Sequence, residues 1–84
     1  MILMEILFSE EFKKDFKRIK DNGMREKIIK AIKKVSILPE SGKPLRYELK
    51  GHRRLMIKPF RIIYRIDNGR IIINCFEHRK KVYK

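Results

Sequence analysis

The sequence predicts an α+β fold in which an N-terminal strand and a helical hairpin precede an antiparallel meander, with both helices on one face of the sheet. Apolar residues recur at helical spacing in the first half of the chain, whereas the second half is rich in β-branched residues and contains an Asn-Gly hairpin signal. The chain has 84 residues, of which 43% are hydrophobic. This length and composition suit one packed core, so we expect a single domain over residues 1–84.

The chain begins with a short apolar segment, residues 2–8, which predicts an N-terminal strand. Ser9 follows as a helix N-cap, with two acidic residues in the first turn. The next apolar residues, Phe12, Phe16 and Ile19, recur at i, i+4 and i+7 and form one stripe of an amphipathic helix. A first helix is therefore predicted directly after Ser9.

A second helix is predicted from about residue 24 to residue 38. Residues 21–23, Asp-Asn-Gly, are expected to end the first helix, because glycine tolerates a left-handed cap. Pro39 ends the second helix. Since the turn between the two helices is short, we expect an antiparallel helical hairpin whose apolar stripes need a sheet to cover them.

The second half of the chain supplies that sheet. After a loop over residues 39–44, strands are predicted over residues 45–50, 53–58, 61–67 and 70–76. Pro59 separates the second of these from the third, since proline cannot donate to a strand ladder. Asn68-Gly69 joins the last two strands as a tight hairpin turn. The predicted order is strand, two helices, then an antiparallel meander.

Charge is the strongest compositional signal. The chain has 23 Lys and Arg residues against 10 acidic ones, a net charge of +13. Such an excess predicts a polyanionic partner, or an acidic protein that shields the charge. The lone Cys75 excludes an internal disulfide, and no Cys/His cluster has zinc-ligand spacing, so no metal or cofactor is expected. No stretch approaches the ~20 apolar residues of a membrane span, so a cytoplasmic protein is predicted.

Five short motifs occur in a fixed order along the chain. They are Gly42-Lys43-Pro44-Leu45, Leu49-Lys50-Gly51, Arg54, Phe60-Arg61-Ile62-Ile63-Tyr64 and His78-Arg79-Lys80-Lys81-Val82-Tyr83-Lys84. Each is weak alone, but the ordered set resembles the RelE/ParE toxin superfamily over essentially the whole chain. The resemblance implies the toxin half of a type II toxin–antitoxin pair. It also implies a RelB-like antitoxin that wraps the toxin, and operator DNA contacted only through their complex; the charge predicts an acidic antitoxin segment.

The resemblance allows two activities. RelE-like members enter the ribosomal A site and cut messenger RNA by 2′-OH attack, without a metal, whereas ParE-like members poison DNA gyrase and are not nucleases. The fold alone does not decide between them. We favour the ribosome-dependent endoribonuclease, with the gyrase inhibitor as an alternative. A further alternative is a non-catalytic relative that keeps antitoxin binding and operon regulation.

Candidate catalytic residues follow from the matched motifs. Arg61 matches the family arginine that holds the scissile phosphate, and a guanidinium suits that role because it grips phosphate bidentately. Arg54 matches a phosphate-contacting basic residue of the preceding strand. Met56 stands where a second basic residue is common in the family, which leaves the general base unassigned. Lys58, which by alternation shares a face with Arg54 and Met56, is a candidate substitute.

The C-terminal motif adds three candidates. Arg79 and Tyr83 match the basic residue and the tyrosine of the family's tail, and the tyrosine is expected to stack on a base or contact the 2′-OH. His78 is a candidate acid because the imidazole pKa ordinarily lies near neutrality. A separate set of helical lysines predicts a docking surface for ribosomal RNA. It comprises Lys13, Lys17, Lys20, Lys27, Lys30 and Lys34.

Overall fold

Two helices and five strands make up the fold in a computed structural model that describes residues 4–47 and 50–78. In chain order they are β1 Glu5–Phe8, α1 Glu10–Lys17, α2 Asn22–Ile37, β2 Lys43–Pro44, β3 His52–Ile57, β4 Phe60–Asp67 and β5 Arg70–His78. The strands form one sheet in the order β1-β5-β4-β3-β2. β1 runs parallel to β5 and the other pairs are antiparallel. The predicted α+β class, with an N-terminal strand, a helical hairpin and a C-terminal meander, is confirmed.

The core lies between the helices and one face of the sheet. Apolar residues of both helices and of β4 and β5 form a single buried cluster. Its members are Phe12, Ile28, Ile32, Val35, Ile62, Tyr64, Ile71, Ile73 and Phe76. Burying one large apolar side chain contributes roughly 1.5–3 kcal/mol, so this cluster dominates the stability of the fold. Neither helix in the described part of the chain is long and apolar enough to span a membrane.

Ser9 fixes where α1 begins. As predicted, it is the N-cap, and its hydroxyl oxygen accepts a hydrogen bond from the Phe12 backbone N–H at 3.0 Å. The same hydroxyl donates to the backbone carbonyl of Asn74 in β5. One side chain therefore caps the helix and attaches it to the strand on which the helix packs.

The connection between the helices differs from the prediction. α1 ends at Lys17, and α2 already begins at Asn22, so Gly23 is a helical residue and the predicted left-handed glycine stop is wrong. The reason is that Asp21 acts as the N-cap of α2. Its carboxylate accepts a hydrogen bond from the Gly23 backbone N–H at 2.9 Å, which satisfies a donor that the start of a helix leaves unpaired.

Arg25 stabilises the end of α1 from the neighbouring helix. Its Nε donates to the Ile19 carbonyl at 2.7 Å, and its Nη2 donates to the Phe16 carbonyl at 3.3 Å. The guanidinium also lies 4.6 Å from the centre of the Phe16 ring. Since the last carbonyls of a helix have no partner within the helix, this arginine takes the place of a glycine cap.

The strand predicted over residues 45–50 is not formed by the described residues of that segment. β2 is instead the pair Lys43–Pro44, and the chain then leaves the sheet. Tyr47 has a φ of 59°, a left-handed conformation that interrupts extended backbone. Residues 48 and 49 lie outside the described residues. β3 begins at His52, one residue earlier than predicted, and β5 continues to His78, two residues further.

A buried tyrosine holds the loop before β2 against the sheet. The Tyr64 hydroxyl donates to the Pro39 carbonyl at 2.8 Å and accepts from the Gly42 N–H at 2.9 Å. Gly42 approaches so closely that a Cβ there would lie 2.7 Å from Tyr64 Cε1 and 2.8 Å from the Arg54 carbonyl oxygen. Only glycine fits this position, so the glycine of one motif and the tyrosine of another form one structural unit.

Two irregularities shape the last hairpin. Asn68 and Gly69 both have positive φ, 52° and 79°, which confirms the predicted tight turn. Further along, Ile63 pairs with Cys75 while Tyr64 pairs with Ile73, so Asn74 is an extra residue in β5. This β-bulge reverses the alternation of the strand, and every later residue of β5 faces the side opposite to that of an uninterrupted strand.

Candidate active site on the open face of the sheet

The face of the sheet turned away from the helices, called the open face below, carries the candidate site. Its identity follows from alternation: Leu55, Ile62 and Phe76 belong to or pack on the core, so their strand neighbours point the other way. Those neighbours are Arg54 and Met56 of β3, Arg61 and Ile63 of β4, and Cys75 and Glu77 of β5. The predicted placement of Arg61 opposite the Ile62 and Tyr64 stripe is what the register and burial show.

Arg61 lies in the middle of a row of three residues. Met56 is its register partner on β3, and Glu77 is its partner on β5. Its Nε and Nη2 donate to the same Glu77 oxygen, Oε1, at 3.1 and 3.0 Å. The Arg61 side chain is 12% exposed and that of Glu77 is 32% exposed. The guanidinium is therefore held in place by a carboxylate that solvent still reaches.

The bulge at Asn74 is what brings Glu77 to Arg61. In an uninterrupted strand Glu77 would share a face with Ile71 and Ile73, whose side chains are fully buried in the core. The extra residue instead turns Phe76 into the core, where it is 5% exposed, and Glu77 out to the open face. Sequence reasoning missed Glu77 because the bulge has no clear sequence signal and the predicted strand ended one residue before it.

Arg54 is the second arginine on this face. It pairs with Ile63, two residues from Arg61, and such diagonal neighbours lie about 7–8 Å apart. Its Nη1 lies 3.7 Å from the Met56 sulfur. The two arginines are therefore close enough to contact neighbouring phosphates of one strand.

A basic pocket extends the site towards the edge strand β2. Lys43 is the register partner of Arg54, and together with Arg46 these side chains line a pocket of about 410 Å³ around Pro44 and Leu45. Among residues 4–47 and 50–78, no acidic side chain lines it. Lys43 and Arg46 were not candidates from the sequence. Only the pairing of β2 with β3 reveals their proximity to Arg54.

The remaining catalytic candidates are placed less favourably. Lys58 is exposed in the turn between β3 and β4, beyond the strand residues that face Arg61. His78 alternates with Glu77 and lies on the helix side, where its ring packs edge-on against Phe60 at 5.2 Å. The structure thus separates His78 from the face that carries Arg54 and Arg61. Arg79 and Tyr83 lie outside the described residues.

The helical lysines form an exposed basic surface. All six candidates, Lys13, Lys17, Lys20, Lys27, Lys30 and Lys34, are exposed. Lys13 makes an ion pair with Glu10 at 3.2 Å, a surface contact of little energetic weight. Five of these lysines lie on the helices, and Lys20, which was predicted to be in the first helix, lies in the connection between them. The set is therefore separate from the arginines described above.

Cys75 is on the open face but is chemically quiet. Burial, together with the nearby carboxylates of Glu77, Glu11 and Asp15 and against the opposing charge of Arg61, raises the pKa of its thiol from 9.0 to about 12. A thiol that stays protonated is a poor nucleophile. Within residues 4–47 and 50–78, no group of three or more His, Cys, Asp or Glu side chains is arranged to hold a metal ion.

Comparison with known structures shows where this fold occurs elsewhere. A chain of the toxin–antitoxin complex RelBE2 from Mycobacterium tuberculosis has a TM-score of 0.80 at 26% identity, covering 93% of this chain and 100% of that one. A mutant of the E. coli toxin RelE in the free state has a TM-score of 0.78 at 17% identity, covering 98% and 92%. The YoeB dimer from Staphylococcus aureus has a TM-score of 0.74 at 24% identity, covering 92% and 98%. The last two likenesses show the fold alone.

Sequence comparison identifies the family. Among curated protein sequences, none is significantly similar to this chain. The family model described as the ParE toxin of the type II toxin–antitoxin system parDE matches residues 6–83. That match spans nearly all of the 84 residues and both halves of the fold. The chain therefore belongs to the RelE/ParE superfamily, the toxins of type II toxin–antitoxin systems.

Proposed function

We propose that this protein is a ribosome-dependent endoribonuclease that cleaves messenger RNA in the A site and so inhibits translation. The observation that carries the proposal is that Arg54 and Arg61 are diagonal neighbours on the open face and that Glu77 holds the Arg61 guanidinium in place. Attack of a ribose 2′-OH on the adjacent phosphate builds negative charge on the phosphorane, and preorganised cations stabilise it. Arginine suits this role because it stays charged and offers five donors.

The basic pocket and the helical lysines support an RNA substrate held by the ribosome. Lys43 and Arg46 continue the positive surface away from Arg54, where neighbouring phosphates of the messenger would lie. The helical lysines give a second surface for ribosomal RNA, which binds through sequence-independent charge. The ribosome then supplies the substrate geometry that a small basic protein lacks on its own.

Primer extension tests the nuclease. A defined messenger RNA is mixed with purified protein, with and without programmed ribosomes, for wild type, Arg61→Ala and Arg70→Ala. Arg70 is a matched control, because it is a β5 arginine paired with Glu5 at 3.9 Å and distant in register from Arg61. We expect cuts confined to the A-site codon, present only with ribosomes, kept in Arg70→Ala and lost in Arg61→Ala. No cuts in wild type under any condition would refute the nuclease.

A ParE-like gyrase inhibitor is the second candidate, and the matching ParE family model favours it. Such a protein acts by binding and needs no scissile phosphate. It predicts inhibition of gyrase supercoiling that survives Arg61→Ala, together with intact messenger RNA in the primer-extension experiment. A non-catalytic relative, favoured by Met56 in place of a basic residue, predicts neither activity.

An antitoxin partner is part of the proposal. An apolar groove of about 320 Å³ lies between the helices, lined by Phe8, Phe12, Phe16, Ile29 and Ile32 with Lys13 and Lys17 at its rim. Phe8 and Ile29 are 41% and 44% exposed, and with the other lining residues they form a contiguous apolar surface of the kind that marks an interaction site. The groove suits an amphipathic antitoxin helix with acidic flanks, and operator DNA would be contacted only through that complex.

Co-expression with an acidic RelB-like antitoxin tests the groove. Ile29→Asp places a charge in the apolar lining, and we expect it to reduce co-purification of the antitoxin. Lys27→Asp is the control, since Lys27 is an exposed residue of the same helix that does not line the groove. If Ile29→Asp, Lys27→Asp and wild type all co-purify the same amount of antitoxin, the antitoxin does not bind in the groove.

A further inference from the structure

The contact between Arg61 and Glu77 points to a role for a residue that no sequence motif marks. We propose that Glu77 is the general base that takes the proton from the attacking 2′-hydroxyl. This inference rests on the proposed nuclease and names the group that the reaction needs and that Met56 does not supply. A thioether is only a weak hydrogen-bond acceptor and does not act as a base. A carboxylate accepts hydrogen bonds strongly and can take the proton of a hydroxyl group as that hydroxyl reacts.

The geometry leaves one free atom on each partner of the pair. Arg61 directs Nε and Nη2 to Glu77 Oε1. Among residues 4–47 and 50–78, neither Glu77 Oε2 nor Arg61 Nη1 has a hydrogen bond. Nη1 is therefore available to a phosphate oxygen while Oε2 is available to a hydroxyl. In a ribonucleotide the 2′-OH and the 3′-phosphate are attached to adjacent carbons, so one guanidinium–carboxylate pair spans both groups.

The step balances without a cofactor. Oε2 of Glu77 takes the 2′-hydroxyl proton as the 2′ oxygen forms its bond to phosphorus. The bond from phosphorus to the 5′ oxygen breaks, which leaves a 2′,3′-cyclic phosphate, and the departing 5′ oxygen takes a proton from water. Arg61 bonds to the carboxylate and the phosphorane at once, so it fixes the base and stabilises the charge that the base creates.

The other candidate bases are less well placed. His78 is on the helix side of the sheet, and Lys58 is in the exposed turn beyond β3. The titratable and charged groups that face Glu77 are Arg61 from β4 and, across a shared cleft of about 560 Å³, Glu11 and Asp15 from α1 and His78 from β5. Three residues between the helices, Arg18, Lys20 and Asp21, line the same cleft. Among the carboxylates of the described residues, Glu77 is the one that contacts Arg61. The simpler alternative is that Glu77 merely occupies Arg61 until RNA displaces it.

These alternatives predict opposite results for Glu77→Gln. Glutamine keeps an acceptor oxygen for Arg61 but does not act as a base. We expect single-turnover cleavage on programmed ribosomes to fall about 100- to 10,000-fold, the usual range for loss of a general base, with ribosome binding unchanged. Glu5→Gln is the matched control, since it removes the same charge from another Glu–Arg pair and is expected to cleave like wild type. Cleavage by Glu77→Gln as fast as wild type, or faster, would overturn the proposal.

The pH dependence gives a second readout that altered packing does not produce. Wild-type cleavage is expected to rise with pH on the acidic side as the base ionises, and Glu77→Gln is expected to lose that limb. Should Glu77→Gln unfold at the assay temperature, Glu77→Asp keeps a carboxylate and is expected to keep the limb. A limb that persists in Glu77→Gln, or that Glu77→Asp loses while folded, would refute the assignment. Failure of wild type to cut would instead refute the nuclease and the base together.

Discussion

Tyr64 offers a direct test of how the loop before β2 is held against the sheet. Its side chain is fully buried, and its hydroxyl makes two hydrogen bonds to backbone groups of the loop before β2. Tyr64→Phe keeps the ring and removes only the oxygen. The Gly42 N–H and the Pro39 carbonyl then lose their partner in a position that water does not readily reach.

The expected cost follows from those two groups. A buried backbone group left without a hydrogen bond costs about 1–3 kcal/mol. The Gly42 N–H is buried but the Pro39 carbonyl is only partly buried and costs about 1 kcal/mol, so we expect the free energy of unfolding to fall by about 2–4 kcal/mol in total. For a domain of this size that is a decrease of roughly 10–25 °C in Tm. The free energy of unfolding of a typical domain is only about 5–15 kcal/mol, so the variant should retain little stability against unfolding at 37 °C.

Urea and thermal unfolding of purified protein measure the change, with Tyr47→Phe as the control. Tyr47 is 90% exposed, so the same chemical change there should cost less than about 0.5 kcal/mol. Gly42→Ala should destabilise by a similar mechanism, because its Cβ would displace the Tyr64 ring. Tyr64→Phe and Tyr47→Phe unfolding at the same midpoint would refute the reasoning that the Tyr64 hydroxyl holds this loop.

Three further predictions concern other contacts. Arg25→Ala should lower the free energy of unfolding by about 1–3 kcal/mol because it uncaps α1, and Arg25→Lys should not restore it because lysine lacks the two-donor fork; urea unfolding measures both. Because the pKa of Cys75 rises from 9.0 to about 12 on folding, its contribution is fully present below pH 9 and is lost as pH rises towards 12. Cys75→Ala should flatten that alkaline decline in unfolding free energy. Affinity for ribosomes should fall steeply with salt, and Lys30→Ala should reduce the slope of log affinity against log salt by about one, measured by sedimentation.

Alternation in a regular strand could be read from the sequence. β4 has no bulge, so its side chains alternate regularly between the two faces and Arg61 was correctly placed opposite Ile62 and Tyr64. In β5 the same reasoning fails, because one extra residue at Asn74 reverses the phase. The backbone carbonyl of Asn74 is bonded to the Ser9 hydroxyl, a contact between residues far apart in the chain. A feature fixed by such a contact is not encoded locally, and Glu77 could not be recognised before the register was known.

The helix boundary shows a different limit of sequence reasoning. Asp-Asn-Gly contains residue types that favour both the end of one helix and the start of the next. In the structure Arg25 donates to the carbonyl of Phe16 in α1 and to that of Ile19 just after it, while Asp21 caps α2. The strand predicted over residues 45–50 failed for a related reason, since its apolar residues do not indicate that the backbone turns at Tyr47.

The family match and the structural likenesses fit both candidate activities. The two activities place different demands on the residues of the open face. A gyrase inhibitor requires only a complementary surface, and nothing in such a role demands that a carboxylate hold Arg61 in one orientation. The proposed nuclease requires a fixed cation beside a base, and the bulge in β5 places a carboxylate beside Arg61 by turning Glu77 out of the core. Pairing a cation with a carboxylate reduces its attraction for a polyanion, so the pair weakens simple phosphate binding. A catalytic role for the carboxylate would account for that cost. Glu77→Gln distinguishes the two activities because it removes the negative charge and the base together. A gyrase inhibitor would bind its target at least as well, whereas a nuclease would lose cleavage.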